Sequence, residues 1–77
     1  MAVPFDPDEI DSMDEGLLAG MRREEMEAFR ERLLVTLDDL ECAEPDIMEE
    51  EEEYYEWETR IHILEDLIDA LDNQLEG

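Results

Sequence analysis

From Tyr54 to Leu75 the apolar residues Tyr54, Trp57, Ile61, Leu64, Ile68, Leu71 and Leu75 follow one another in alternating steps of three and four. That is an unbroken heptad seam, and Ile47 extends it back by one repeat. A strand would need alternation at period two, which is absent. The spacing predicts a long helix over about 47–76. A second stripe, Met26, Phe29, Leu33, Leu37, Leu40 and Ala43, predicts a helix over about 21–43, uninterrupted by glycine or proline. Ahead of both, Asp6-Pro7-Asp8-Glu9 offers an N-cap, a proline at the first helical position and a capping-box glutamate. With Ile10, Met13 and Leu17 on one edge, this predicts a short helix over about 7–19, which Gly20 ends or bends into the next helix. Residues 1–5, with Pro4, are expected to be loosely ordered.

Glu44-Pro45-Asp46 separates the two long helices, because the residue before a proline is pushed away from helical angles. So short a connection makes its helices antiparallel. Counting outward from Pro45 pairs Ala43 with Ile47, Leu33 with Trp57, Phe29 with Ile61 and Met26 with Leu64. The same register sets Arg30 near Glu58, Arg23 near Glu65 and Arg32 near Glu53. It leaves Leu71 and Leu75 overhanging, with the first helix as their cover through Ile10, Met13 and Leu17. The expected fold is therefore all-α: a single domain over 1–77, an antiparallel two-helix coiled-coil hairpin with a short N-terminal helix. Met21, Leu34 and Ile63 lie off the main stripes and raise the expectation of a homodimer.

Charge changes the picture more than length does. The 77 residues carry 27 acidic side chains against 5 basic ones, a net charge of −22; all five are arginine and lysine is absent. Composition this charged would argue for disorder, but 43% of the residues are hydrophobic and they are periodic. Self-repulsion at this charge opposes compaction. Direct contact with nucleic acid or an anionic membrane is opposed too, since either requires basic groups to neutralise phosphate. The fitting partner is a basic protein, or one that normally holds DNA or RNA. The single Cys42 forms no internal disulfide, which fits a reducing cytoplasmic setting. The N-terminus has neither the basic nor the apolar region of a signal peptide, and no apolar run approaches the roughly 20 residues of a membrane span.

With position a at Ile47, Tyr54, Ile61, Ile68 and Leu75, the e positions are Glu51, Glu58, Glu65 and Asp72, all acidic. Asp69 and Glu76 continue that row, and Glu52, Glu56 and Asp66 widen it on the outer face. Carboxylates spaced roughly 5–10 Å along a rigid helix resemble the phosphates of a nucleic-acid strand. A merely solvated flank usually alternates acid with lysine. Tyr55 falls on the outside, where an aromatic among acids suits contact with arginine or lysine. These ten residues form the candidate partner-binding set. No metal or cofactor is expected. His62, with Glu58 and Glu65 a turn to either side, would need a second copy to complete a metal site. Asp6, Asp8 and Asp11 lack the central glycine and closing glutamate of a calcium loop. Cys42 has none of a catalytic nucleophile's companions, and no phosphate loop or Ser/His/Asp set appears, so an enzyme is not expected.

In size, charge and helical make-up the chain resembles the small acidic nucleic-acid mimics of phages and mobile elements, among them restriction-evasion proteins and some anti-CRISPR proteins. The resemblance lies in composition and not in a residue motif. It implies an inhibitor that occupies a cationic DNA or RNA channel. The apolar seam supports a different expectation: an assembly module or acidic antitoxin that docks through exposed seam residues such as Leu71 and Leu75.

Overall fold

A computed structural model describes residues 3–76. Among them the regular elements are all helical: α1 (Pro7–Asp11), a 3-10 helix (Glu15–Gly20), α2 (Arg23–Cys42) and α3 (Glu51–Glu76). The two long helices pack against each other as an antiparallel hairpin, and the N-terminal elements lie on α3. The molecule is 42 Å along its longest axis, close to the roughly 39 Å that 26 helical residues span.

The hairpin connection is longer than the proline alone requires. The Asp46 carboxylate accepts from the Met48 amide at 2.8 Å, an Asx turn that offers the backbone an alternative to the helix. A single turn closed by Glu50 N–H on the Asp46 carbonyl follows, and α3 begins only at Glu51. Crowding of Glu49 to Glu53 opposes an earlier start, since like charges a turn apart repel. The longer connection slides the register. Trp57 Nε1 donates to the Leu40 carbonyl at 2.6 Å, so the indole lies opposite Leu40 and not Leu33, a shift of about two helical turns. Arg30 accordingly meets Asp72 at 2.6 Å and not Glu58. Arg23 pairs along its own helix with Glu27 at 3.7 Å instead of crossing to Glu65. Arg32 turns to the N-terminal segment, away from Glu53.

The same slide removes the expected overhang. Leu71 is fully buried, and Leu75 is half-buried. Ile10, Leu18, Leu33, Leu64, Leu67 and Leu71 form the core, with Phe29, Leu37, Ile63 and Ile68 packed around it. Leu67 lies outside the a/d seam. It is buried because α3 is covered on two flanks, by α2 on one side and the N-terminal segment on the other, which widens the apolar arc.

The N-terminal segment makes specific contacts with the hairpin. Asp6 and Glu9 form the capping box, with Asp6 N–H donating to Glu9 Oε2 at 2.9 Å. After α1 the Asp14 carboxylate accepts from Gly16 N–H at 2.8 Å and starts the 3-10 helix. A Cβ on Gly16 would stand 2.8 Å from that same Asp14 oxygen, so the tight turn favours glycine. The switch from α to 3-10 winding turns Leu18 inward, 2% exposed, and leaves Leu17 at 45%. The lead ahead of α1, residues 3–5, is docked on α2. Phe5 N–H donates to Thr36 Oγ1 at 2.9 Å, and Arg32 Nε donates to the Val3 carbonyl at 2.9 Å. The Phe5 ring meets Phe29 edge-on at 5.4 Å and lies 3.9 Å beneath the Arg32 guanidinium. The part of the expected loose lead before Val3 lies outside the described residues.

Candidate protein-binding surface

The two covered flanks of α3 decide which side chains remain available. Ile61, Leu64, Leu67 and Leu71 face inward, and Arg60 points to the N-terminal flank, where Nε and Nη2 reach the Asp11 carboxylate at 3.2 and 3.3 Å. What remains is an outer face about half of the helix circumference wide. On it Glu51, Glu52, Tyr55, Glu56, Glu58, Glu65, Asp66, Asp69 and Glu76 are all exposed, as the heptad reading places them. Glu51, Glu58 and Glu65 stand in line at about 10 Å intervals along the axis. Asp72 is the departure from the expected row. It is half-buried and held by Arg30, so it joins α3 to α2 instead of standing free. The heptad alone could not reveal this, because it depends on the register.

The arginines are placed as selectively as the acids. From α2, Arg30 reaches Asp72 on α3 and Arg32 reaches the Val3 carbonyl of the N-terminal segment, Arg60 ties α3 to α1, and Arg23 pairs with Glu27. Arg22 stands at the N-cap of α2. The outer face of α3 carries no basic residue other than the exposed His62, whose Nε2 lies 3.8 Å from Glu58. α2 also exposes acids, including Glu24, Glu27, Glu31 and Asp38, but these share their helix with three arginines. The purest negative surface is therefore that of α3.

Near the first turns of α3 this surface has relief. A shallow concavity of ≈ 470 Å³ is lined by Tyr55, Glu58, Thr59 and His62, and another of ≈ 230 Å³ by Asp11, Tyr55, Glu56, Thr59 and Arg60. Tyr55 and Thr59 border both. A third, of ≈ 470 Å³, lies between the 3-10 helix and the second half of α3, with Glu15, Asp66 and Asp69 on its walls. Among the described residues no three metal-binding side chains converge, and no helix is long and apolar enough to cross a membrane. Carboxylates so arranged can attract cationic groups.

Most of the apolar seam is used inside the chain, while Ile47 at its start is 50% exposed. Leu64 and Leu71 have no exposure, so a partner helix seeking the seam would have to displace α2 or the N-terminal segment. Met21 and Ile63 likewise pack on the core periphery, while Leu34 remains 39% exposed. No protein-family model, curated protein or solved structure matches the chain.

Proposed function

We propose that this chain is an acidic binding protein that mimics nucleic acid and blocks the cationic groove of a DNA- or RNA-binding protein, as an inhibitor of the restriction-evasion or anti-CRISPR kind. The observation that carries the reading is the separation of charge: an outer α3 face of carboxylates, with the neighbouring arginines turned to internal contacts. A basic groove built for phosphate would meet carboxylates on a rigid rod at comparable intervals, and inhibition would follow from occupancy. No bond is made or broken. A cytoplasmic setting accords with this reading, since that is where such targets work and where the exposed Cys42 stays reduced.

The experiment is affinity capture on the immobilised chain from cell lysate at about 0.1 M salt, followed by elution with duplex DNA or RNA. The reading expects a nucleic-acid-binding protein that nucleic acid releases. Changing Glu58→Gln, Glu65→Gln and Asp69→Asn together should weaken capture by several orders of magnitude, at roughly 1–3 kcal/mol per desolvated contact. Asp72 is left out of the set because Arg30 uses it within the fold. A neutralised variant that captures the same partner as well as the parent, or a partner that nucleic acid does not release, refutes the reading.

A further inference from the structure

Phe5, Phe29, Tyr54 and Trp57 are all half-buried; Tyr55 is the aromatic that stands out, 55% exposed on the outer face of α3. Neither packing nor solubility requires a large ring there. Tyr54 and Trp57, at 5.4 Å, close the hairpin end without it, and Tyr55 touches that pair only edge-on, 6.3 Å from Tyr54. The ring's surroundings are uneven. Glu51 and Glu52 precede it by one helical turn and Glu58 follows by one, so carboxylates border it on both sides along the axis. Next beyond lie Thr59, whose hydroxyl is turned back to the Tyr55 carbonyl at 2.9 Å, and His62. The helix face therefore has a window of Tyr55 and Thr59 set between carboxylates, with two shallow concavities beside it, one lined also by Asp11, Glu56 and Arg60 and the other by Glu58 and His62.

We propose that Tyr55 is the pad on which an arginine side chain of the cationic partner lies, with Glu51, Glu52 and Glu58 receiving its guanidinium. This rests on the cationic-partner reading above and names the chemistry of the contact. Arginine fits and lysine fits less well, for two reasons. A planar guanidinium stacks on an aromatic face and is more weakly hydrated than an ammonium. Its forked donors also engage two carboxylate oxygens at once, where an ammonium acts as a point charge. Charge complementarity selects a cation, and the exposed ring selects which cation.

The test uses the full chain and two fluorescein-labelled peptides, nona-arginine and nona-lysine, with affinities read by anisotropy at about 0.1 M salt. Both peptides should bind, nona-arginine more tightly. Tyr55→Ala should lower the arginine-to-lysine affinity ratio about two- to fivefold, the value of an exposed cation–π contact. Tyr55→Phe should keep the parent ratio, because the ring face and not the hydroxyl carries the contact. Glu65→Gln with Asp69→Asn, away from the window, should weaken both peptides alike and leave the ratio unchanged. A ratio unaffected by Tyr55→Ala, or lost in Tyr55→Phe, overturns the pad while the cationic-partner reading stands, since both peptides still bind. If neither peptide binds, both readings fall.

Discussion

Thr36 offers the sharpest test of how the N-terminal segment is held. It is a polar residue in the core, 2% exposed, and its hydroxyl is used twice: Oγ1 accepts from Phe5 N–H at 2.9 Å and donates to the Arg32 carbonyl at 2.6 Å. Thr36→Val keeps the shape and removes both bonds. The Arg32 carbonyl retains its helical partner, so the loss falls on Phe5 N–H. A net hydrogen bond contributes about 1 kcal/mol, and an amide left dry costs up to about 3 kcal/mol. Phe5 is only half-buried, so water offsets part of the upper figure, and about 1–2 kcal/mol is expected. In a domain this small that lowers the melting temperature by roughly 4–8 °C per kcal/mol.

The control is Thr36→Ser, which keeps the hydroxyl and deletes one buried methyl, worth about 0.8 kcal/mol. Thermal melts followed by circular dichroism rank the two variants. Amide exchange at Phe5 identifies the cause: protection should vanish in Thr36→Val and persist in Thr36→Ser. If Phe5 stays protected in the valine variant, or serine proves the more damaging change, the segment is held by packing and the hydrogen-bond argument is wrong.

Three further outcomes follow from the same geometry. Leu71→Ala, at a fully buried site, should destabilise by about 2–5 kcal/mol, while Leu17→Ala on the exposed side of the 3-10 helix should stay within about 0.5 kcal/mol; chemical denaturation that reverses this order refutes the assigned winding. Asp72→Asn should lose about 0.2–1 kcal/mol with the Arg30 pair, whereas Glu65→Gln should be neutral or stabilising, and equal effects in thermal melts would contradict the register. Raising sodium chloride from about 0.1 to 1 M shortens the Debye length from about 10 to 3 Å, so the melting temperature should rise as repulsion is screened; a flat or falling melt would show that the arginine pairs outweigh it.

The two long helices and their exposed face were legible because both depend on a local period, and side chains three and four residues apart declare it directly. Register is different, because it depends on the length of the connection. The Asx turn at Asp46 and the crowded glutamates delay α3 to Glu51, and every cross-helix pairing counted from Pro45 moves with it. Asp72 passed from the expected binding set to the Arg30 contact for that reason alone. Leu67 escaped the heptad template because a two-helix seam has no use for a g position; only a third layer buries it. Leu18 escaped because a helical wheel at 3.6 residues per turn does not describe a 3-10 segment. The 2.8 Å contact between Asp14 and Gly16 is the local cue: an Asx turn that restarts the winding inside what reads as one helix.

The placement of arginine links this architecture to its proposed use. A chain selected only for solubility could scatter its basic residues, yet here Arg30, Arg32 and Arg60 each join two elements. They hold the scaffold and at the same time leave α3 to face outward as carboxylate. The two long helices should therefore contribute to binding in different ways. Exposed Glu24, Glu31 and Asp38 recur at seven-residue steps on α2, alongside the arginines; on the proposed reading they should act on a cationic partner mainly through the long-range field. Such charges change the association rate and its salt dependence, while charges in direct, partly desolvated contact change dissociation. Stopped-flow binding of labelled nona-arginine should show it: Glu24→Gln, Glu31→Gln and Asp38→Asn together slow association several-fold and leave dissociation nearly unchanged. Glu51→Gln, Glu52→Gln and Glu58→Gln together should speed dissociation at least as much as they slow association. If the two triple variants change both rate constants in the same proportions, the peptide samples the whole acidic surface, and α3 has no privileged role in recognition.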